Sequence, residues 1–325
     1  MTSAGLHDLS GSPIDLPDAG EIQAAAERIA PYIRRTPIHT SRQLDAQSSA
    51  AIFLKCENFQ RTGAFKVRGA MNAVWSLDEE RAQRGVAAHS SGNHAAALAC
   101  AAASRDIPAW VVMPSNAPAV KRWATEGYGA QVIECRPTVE SRESMLAEVV
   151  AEFGAVEIHP YDNRNVIAGA GTAALELLSD VDDLDLILAP VGGGGLLSGT
   201  AIATRSIRPQ ADVWGAEPAG ANDAACSLAT GVLVPQTDPQ TMADGLLTSL
   251  SPRTFAAICA DVSHIQTVTE DEIVTAMHFV WERMKLVIEP SCAVPVAVAL
   301  RGDCSDRRVG IIISGGNVDL GRLPF

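Results

Sequence analysis

Short apolar runs and helical stretches alternate along the chain from about residue 21 onward. The segment EIQAAAERIAPYI has the apolar spacing of a helix, AIFLKCE that of a buried strand, and KVRGAMNAVWSL again that of a helix. Helices are also expected from about Leu196, from Glu270 to Lys285 and after Pro290. Strands alternating with helices predict an α/β fold with mostly parallel sheets and helices on both faces. The remaining strand-like runs are VAAHS, AWVVM, AQVIE, AVEIH, LDLILAPV, DVWGAE and RVGIIIS.

The length of the chain favours two lobes that share a cleft. With 325 residues, of which 47% are hydrophobic, the chain can bury more than one ordinary core. Residues 1–20 are rich in Gly, Ser, Pro and Asp, and we expect them to form a mobile tail. In parallel α/β sheets ligands bind outside the carboxyl ends of strands, so the turns that follow strands are the first candidates for a site.

Composition and charge exclude several kinds of partner. The chain carries a formal net charge of −13 and has a sequence pI of about 4.9, and no run of Lys or Arg offers a surface for nucleic acid or anionic lipid. No segment reaches the roughly 18 uninterrupted apolar residues of a membrane span. The seven cysteines contain no CxxC pair, which is typical of reduced thiols. We therefore expect a cytoplasmic protein that binds neither nucleic acid nor membranes.

Four consecutive glycines follow the apolar run LDLILAPV and precede a predicted helix. Bare N–H groups and the helix dipole at such a place bind anions, so the run predicts a phosphate site. The alternative is a tight turn from strand to helix that binds no ligand. A P-loop is excluded because no Lys-Ser or Lys-Thr pair follows, and the GxGxxG frame of dinucleotide folds fails at Leu197 or Ser198. Glu217, at the end of the next predicted strand, keeps a dinucleotide site as an alternative. The four glycines are Gly192, Gly193, Gly194 and Gly195.

Three further turns lie beside predicted helices or strands. Lys66 follows TGAF at a loop-to-helix junction; it is either a solvated surface lysine or, beside a bound aldehyde cofactor, the lysine that forms a Schiff base. The stretch SSGNH after VAAHS either caps the next helix or binds a carboxylate through free N–H groups and hydroxyls. The turn SGGN after RVGIIIS is by itself a weak signal.

Taken in order along the chain, these stretches resemble a known enzyme family. The similarity is to fold-type II pyridoxal phosphate enzymes, in the group of serine racemases, serine/threonine dehydratases and 3-hydroxyaspartate ammonia-lyases, and it extends from about Glu21 to Phe325. It implies a two-lobed fold like that of tryptophan synthase β, with a large domain of residues 21–75 and 155–325 and a small domain of residues 76–154. The motifs that carry it are KCENFQRTGAFKVRGA, HSSGNHA, VIAGAGT, VGGGGLLSGT, AEPAGANDA, ADGLLTSL, VTEDEI, VWERMKLVIEPS and SGGNVDL.

The resemblance implies a pyridoxal phosphate site. Lys66 would form the Schiff base, Phe65 would pack against the cofactor ring, and the four glycines would hold the phosphate. Asn93 would hydrogen-bond the ring hydroxyl, and Ser314 would face the pyridine nitrogen. Because a hydroxyl cannot keep that nitrogen protonated as a carboxylate would, such a site favours elimination of a β-substituent over transamination.

The resemblance also implies how the substrate is held. Ser91 matches a second base on the opposite face of the cofactor, which racemisation requires. Arg142 either clamps a second carboxylate at the distal end of the substrate or is an exposed helix arginine paired with Glu140 or Glu143. The residues expected to bind the substrate carboxylate are Ser90, Ser91, Asn93 and His94.

A divalent-cation site is implied beside the cofactor site. Glu217, Ala221 and Asp223 match the family's cation ligands, with Ala221 contributing its backbone carbonyl. Oxygen ligands of this kind suit Mg²⁺ or Ca²⁺, whereas the other interpretation is a solvated acidic turn. Assigning Glu217 to a cation also weakens the dinucleotide alternative.

We therefore expect a homodimeric ammonia-lyase that eliminates water from a β-hydroxy amino acid and yields a 2-oxo acid and ammonia. Arg142, and Ala64 in place of the serine usual in related dehydratases and racemases, favour 3-hydroxyaspartate over serine or threonine. The first alternative is a serine or aspartate racemase with dehydratase side activity. The others are a nicotinamide-dependent oxidoreductase and a binding protein that has lost its chemistry.

Overall fold

The computed structural model describes residues 14–117 and 119–325. Within these residues ten strands form two sheets, which are built largely from the alternating apolar runs of the sequence. The strands are β1 (Ile38–His39), β2 (Ala51–Cys56), β3 (Val86–His89), β4 (Ala109–Pro114), β5 (Gln131–Cys135), β6 (Val156–Glu157), β7 (Leu186–Pro190), β8 (Asp212–Pro218), β9 (His264–Val268) and β10 (Arg308–Ile313).

Helices connect the strands, and several begin at a capping side chain. Asp18 and Glu21 form a capping box on the first helix, as Thr269 and Glu272 do on a later one, and each box satisfies two N–H groups that the first turn leaves unpaired. The helices are α1 (Ala19–Ile29), α2 (Arg42–Ser48), α3 (Lys66–Trp75), α4 (Glu79–Gln83), α5 (Asn93–Ser104), α6 (Ala119–Gly127), α7 (Val139–Phe153), α8 (Arg164–Asp180), α9 (Gly195–Ile207), α10 (Asp223–Thr230), α11 (Pro252–Asp261), α12 (Glu270–Phe279) and α13 (Pro290–Leu300).

The larger sheet has six strands in the order β1-β2-β10-β7-β8-β9. Only the pairing of β1 with β2 is antiparallel; the other four pairings are parallel. Alternation along β10 shows that both faces are covered. Ile311 and Ile313 belong to a core that includes residues of α13, whereas Ile312 lies in a core with residues of α8 and α9. The predicted α/β class, with parallel strands and helices on both faces, is confirmed.

The smaller sheet has four strands in the order β5-β4-β3-β6, and all of its pairings are parallel. Its strands lie between residues 86 and 157. The alanine-rich helix α5 is almost entirely buried on it, because small side chains let the helix approach the strands closely. The exact division into two domains stays a prediction.

Glycines bring three helices of the larger unit into backbone contact. A Cβ atom on Gly169 of α8 would lie 2.4 Å from the carbonyl oxygen of Arg68 and 2.7 Å from the Cα of Gly69, both on α3. A Cβ on Gly199 of α9 would lie 2.6 Å from the backbone nitrogen of Gly171 on α8. No side chain larger than hydrogen fits at these crossings, so α3, α8 and α9 are packed as one stack. Lys66 begins α3 and the glycine run begins α9, so the stack fixes the distance between them.

A buried ion network lies beneath the start of α3. Arg68 donates to both oxygens of Glu57, at 2.7 and 2.8 Å, and to Glu176 at 2.8 Å. Lys55, also fully buried, donates to Glu176 at 2.6 Å. Two cations thus face two carboxylates, and each buried charge is compensated. The network holds the first turn of α3, two residues from Lys66.

The prediction of a mobile tail falls mostly on residues 1–13, which lie outside the described residues. Closer to the fold, Asp15 forms an ion pair with Arg164 at the start of α8, and α1 begins at Ala19. In the part of the chain that the structure describes, no helix is both long and apolar enough to cross a membrane.

Candidate active site

The predicted chemistry-bearing turns follow the carboxyl ends of parallel strands, where ligands bind in α/β folds. Ser90 follows β3, the glycine run follows β7, and Ser314 follows β10. The start of α3 contacts the turn after β10 and also the segment that follows β6. Lys66 Nζ donates to the carbonyl oxygen of Pro160 at 3.0 Å, and the Phe65 backbone nitrogen donates to that of Ser314 at 2.9 Å.

Lys66 is a half-buried lysine and not a solvated one. Its Nζ lies 5.2 Å from the centre of the Phe65 ring, and its hydrogen-bond acceptor is a neutral carbonyl. Burial lowers the pKa of the Lys66 amine to about 8, although the charge of Glu289 acts in the opposite direction. A lower pKa leaves more of the amine unprotonated at neutral pH, as a nucleophile or general base requires.

The glycine run forms an open helix N-terminus. Gly194 has a φ of +85°, which favours glycine, and it precedes α9 without any side-chain cap. A Cβ on Gly193 would lie 2.3 Å from the ring of Tyr161, so close packing also requires this glycine. Backbone conformation and packing thus also support the alternative of a tight strand-to-helix turn. The uncapped N–H groups of the first turn are nevertheless what an anion such as phosphate needs.

Helix α5 begins beside Glu289 and Asn317, and its own N-terminus lacks a side-chain cap. The N-cap residue is Gly92, so the alternative in which SSGNH merely caps the helix is not realised. Ser90 and Ser91 are half-buried in the turn before it. Asn93 Nδ2 donates to both carboxyl oxygens of Glu289, at 2.9 and 3.1 Å. Hydroxyls and free N–H groups therefore lie together where a substrate carboxylate is expected.

His94 is buried and neutral. Its Nε2 lies 2.9 Å from the carbonyl oxygen of Ile158, to which it must donate, and its Nδ1 has no partner among the described residues. Burial, together with the charge of Lys66, lowers the pKa of His94 to about 3. The ring therefore brings no positive charge to a carboxylate, and its role in substrate binding stays a prediction.

Arg142 lies on α7 and is half-buried. In the described part of the chain it forms no ion pair with Glu140 or Glu143, and its buried Nε has no hydrogen-bond partner. Its charge contributes to lowering the pKa of His89, which ends β3 next to Ser90, although burial is the larger cause. The charge of Arg142 thus acts on the end of β3, and its Nε is a buried donor without a partner among the described residues.

Several residues at this place were not identified from the sequence. Tyr161 packs on the glycine run, and its ring meets that of His159 edge-on at 4.6 Å. Glu289, at the start of α13, is 3% exposed and binds Asn93. Their place in the sequence could have indicated both residues. Tyr161 lies in HPYDN, which follows a predicted strand, and Glu289 lies in IEPS, which precedes a predicted helix.

The proposed cation ligands lie together at the end of β8. Glu217 accepts hydrogen bonds from the backbone nitrogens of Ala224 and Ala225, at 3.0 and 2.9 Å, and is 1% exposed. Asp223 is also buried, and its Oδ2 has no partner among the described residues. The described residues contain no group of three His, Cys, Asp or Glu side chains that could hold a metal. A cation here would depend on two carboxylates and the carbonyl of Ala221.

The residues around Lys66 fit pyridoxal phosphate. A half-buried amine of lowered pKa suits the aldehyde, and the uncapped glycine turn suits the phosphate. The amide of Asn93 and the buried Ser314 are polar groups that can meet the ring. This set of groups agrees with the chemistry that the sequence motifs imply.

Comparison with known proteins gives consistent results. The family model described as "Pyridoxal-phosphate dependent enzyme" matches residues 29–315. The chain is 48% identical over 312 residues to the beta-hydroxyaspartate dehydratase of Paracoccus denitrificans, covering 95% of this chain and 99% of that protein. It is 47% identical over 310 residues to the L-threo-3-hydroxyaspartate ammonia-lyase of Saccharomyces cerevisiae, covering 94% and 95%. The structure of serine racemase from Dictyostelium discoideum matches with a TM-score of 0.90 at 48% identity, covering 93% of this chain and 99% of that one.

Proposed function

Because this chain belongs to the family of pyridoxal-phosphate dependent enzymes, we propose that it eliminates water from 3-hydroxyaspartate and yields oxaloacetate and ammonia. Two relatives that are 47–48% identical are named for activity on hydroxyaspartate. The observation in this structure that carries the choice of a dicarboxylate is the buried Nε of Arg142, which has no partner among the described residues. A buried donor without a partner is costly, and a second carboxylate on the substrate would satisfy it.

In this proposal Lys66, Asn93, Ser314 and the glycine run hold the cofactor. When bound, pyridoxal phosphate supplies an electron sink that stabilises negative charge at the substrate Cα. The amine of Lys66 takes the Cα proton, and its lowered pKa keeps it competent as a base near neutral pH. Loss of the β-hydroxyl as water follows, and hydrolysis of the released product gives the 2-oxo acid and ammonia.

The smaller sheet supplies the substrate contacts. Ser90, Ser91 and the first N–H groups of α5 would hold the α-carboxylate, and Arg142 would hold the distal one. Because its two carboxylates would be held at separate places, the substrate would present Cα to the amine of Lys66 in a fixed orientation. Ser91 would serve as a second base, and therefore serine racemase activity, the activity named for a 48% identical relative, is the second candidate.

Replacing Arg142 by alanine tests the choice of substrate. We expect kcat/KM for 3-hydroxyaspartate to fall by about two orders of magnitude, because a charge-assisted bidentate contact of roughly 3 kcal/mol is lost. Turnover of L-serine, which lacks the second carboxylate, should change little. The measurement is release of 2-oxo acid and ammonia from L-serine, L-threonine and each 3-hydroxyaspartate isomer, with chiral analysis of the remaining amino acid.

Arg136→Ala provides the matched control, because Arg136 is an exposed arginine just before α7. Its kinetics should equal those of the unmodified enzyme. Equal losses for serine and hydroxyaspartate in Arg142→Ala would refute the distal clamp. Formation of the D-amino acid without 2-oxo acid would identify a racemase instead, and absence of all turnover would refute the lyase proposal.

We also propose that Glu217, Asp223 and the carbonyl of Ala221 bind Mg²⁺ or Ca²⁺ in a structural role. Burial raises the pKa of Glu217 to about 8 and that of Asp223 to about 6, and the charge of Asp223 adds to the increase at Glu217, so a bound cation would stabilise the ionised form of both acids. Oxygen donors match both ions.

A chelator is expected to lower the Tm by about 5 °C, and excess Mg²⁺ or Ca²⁺ should restore it. The reason is that ligand binding to the native state alone adds to the free energy of unfolding. Asp223→Asn should lose most of this response, whereas Asp319→Asn, near the far end of the chain, should retain it. A Tm that is unchanged by chelation would contradict the cation site.

We also propose that the protein is cytoplasmic and forms a homodimer. All seven cysteines are free, which supports a reducing compartment and hence the cytoplasm. A homodimer is supported by the family resemblance, and sedimentation of the purified protein tests it.

A further inference from the structure

Residues 158–163 connect β6 of the smaller sheet to α8, and this connecting segment meets both parts of the proposed cofactor site. The carbonyl oxygen of Pro160 accepts from Lys66 Nζ at 3.0 Å. The ring of Tyr161 lies 2.3 Å from the place that a Cβ on Gly193 would take. One short segment therefore contacts the lysine and the glycine run, and the proposed reaction assigns it no role.

The connecting segment forms a turn that is closed by the ring of His159. Nδ1 of His159 accepts from the backbone nitrogen of Asp162 at 2.8 Å and from that of Tyr161 at 3.4 Å. Burial lowers the pKa of His159 to about 4, so at neutral pH the ring is uncharged and Nδ1 can accept. Asp162 is also held from α11, because Arg253 Nε donates to its Oδ1 at 2.8 Å. Pro160 lies inside this turn, so its carbonyl oxygen moves only when the turn moves.

At its beginning the connecting segment is bound to the smaller sheet and to His94. The backbone nitrogen of Ile158 donates to the carbonyl oxygen of Ala87 at 2.9 Å, which continues the pairing of β6 with β3. The carbonyl oxygen of Ile158 lies 2.9 Å from His94 Nε2, and both residues are 2% exposed. A carbonyl only accepts, so Nε2 carries the proton of the ring. His94 thus donates a buried hydrogen bond to the segment, two residues before Pro160.

The other ring nitrogen of His94 is unsuited to the substrate role that the sequence predicts. With the proton on Nε2, Nδ1 presents a lone pair, and it has no partner among the described residues. A lone pair does not attract a carboxylate. The backbone N–H of His94, in the first turn of α5, can still bind one. The contact that the ring does make is the one with Ile158.

We propose that His94 is a positioning residue for Lys66: its ring holds the connecting segment in the place where a carbonyl of that segment receives the lysine amine. While the amine is free to act as a base, the N–H that it donates to Pro160 restricts the directions in which its lone pair points. A base that is held in one orientation meets the Cα proton more often in a reactive geometry. This inference rests on the role of Lys66 in the proposed function but not on the identity of the substrate.

Two amide substitutions at position 94 separate the functions of the two ring nitrogens. The side-chain nitrogen of glutamine reaches about as far from the backbone as Nε2 of histidine, whereas the amide of asparagine reaches only as far as Nδ1. His94→Gln should therefore keep the donor to Ile158, and His94→Asn should lose it. His278→Asn is the matched control, because His278 is an exposed histidine on α12.

The first measurement is amide hydrogen exchange in the cofactor-free protein, read by mass spectrometry on peptides that cover the connecting segment. In His94→Asn we expect exchange there to be at least about tenfold faster than in the unmodified protein, because the segment has lost a hydrogen bond that holds it. His94→Gln and His278→Asn should exchange as the unmodified protein does. Peptides from α12 are the internal reference, and they should not change in His94→Asn.

The second measurement is the kinetics of the enzyme loaded with cofactor. For each amino acid that the unmodified enzyme converts, His94→Asn should lower kcat about tenfold and leave KM within about twofold, because orientation of the base is impaired and substrate binding is not. His94→Gln should restore kcat. If the ring instead binds substrate through Nδ1, asparagine should be tolerated, glutamine should not, and the loss should be found in KM.

That opposite pattern would overturn the inference, as would unchanged exchange of the connecting segment in His94→Asn or an equal acceleration in all peptides. Should His94→Asn not fold, His94→Leu, which fills the space without a donor, takes its place in both measurements. Hydrogen exchange requires neither cofactor nor substrate, so a different enzymatic activity would leave that result unaffected. The role of Lys66 itself is tested separately by Lys66→Ala.

Discussion

The Lys66→Ala variant is expected to catalyse elimination at least about three orders of magnitude more slowly than the unmodified enzyme, because it lacks the base that takes the Cα proton. The same substitution removes the amine that links to the aldehyde of the cofactor. We therefore expect the unmodified protein to be yellow and the purified variant to lack this colour. Nothing nearby replaces the lysine, because the other three lysines are held in the buried network, paired with Asp244, or exposed.

The low number of lysines makes this prediction easy to control. Lys285→Ala alters an exposed lysine that donates to the Glu282 carbonyl oxygen, and it should keep both colour and rate. Borohydride reduction followed by peptide mapping should place the cofactor on the peptide that contains Lys66. A Lys66→Ala protein that retains covalent cofactor or turnover would disprove the assignment.

Gly193→Ala is expected to weaken binding of pyridoxal phosphate by about two orders of magnitude, equivalent to roughly 3 kcal/mol. The added Cβ would lie 2.3 Å from the Tyr161 ring, so either the ring or the turn must move. Movement of the turn displaces the N–H groups at the start of α9. These groups bind an anion well only when they point towards it. The affinity is measured by titrating the cofactor-free protein with pyridoxal phosphate.

A second substitution tests whether overlap with the Tyr161 ring causes the loss of cofactor affinity. Tyr161→Ala in the Gly193→Ala background removes the overlapping ring, and we expect much of the lost affinity to return relative to Tyr161→Ala alone. Gly127→Ala, at a position with open space at the end of α6, should bind the cofactor normally. If Gly193→Ala binds as tightly as the unmodified protein, the glycine run is not the phosphate site.

Much of the fold could be predicted because buried parallel strands appear in the sequence as runs of apolar residues. LDLILAPV and RVGIIIS form β7 and β10, and the resemblance, the fold class and the assignment to lyases of this group are confirmed. The two-residue strand β1 could not be predicted, since its pairing depends on β2 and not on its own pattern. Strand β9, HIQTV, mixes polar and apolar residues because it lies at the edge of the larger sheet.

Site residues could be predicted where a local sequence motif marks a turn. They could not be predicted where two residues that are distant in the sequence come into contact. Lys66, Ser314 and the glycine run lie in glycine-containing motifs that can be recognised in the sequence. Glu289 is 196 residues from Asn93 in the sequence, and no local pattern reports their contact. Tyr161 was missed for the same reason. The roles assigned to individual site residues stay predictions until the variants are measured.

The backbone contacts among α3, α8 and α9 have a consequence for how this enzyme can diverge. Lys66 and the glycine run belong to that stack, whereas Ser90, Ser91 and Arg142 belong to the smaller sheet. Apart from Asn93, the residues proposed to hold the cofactor therefore lie with the larger sheet, so substitutions beside the smaller sheet can change the substrate range without altering them. For directed evolution, the loop after β3 and the first turn of α7 are the regions to randomise, and the crossing glycines should be left intact.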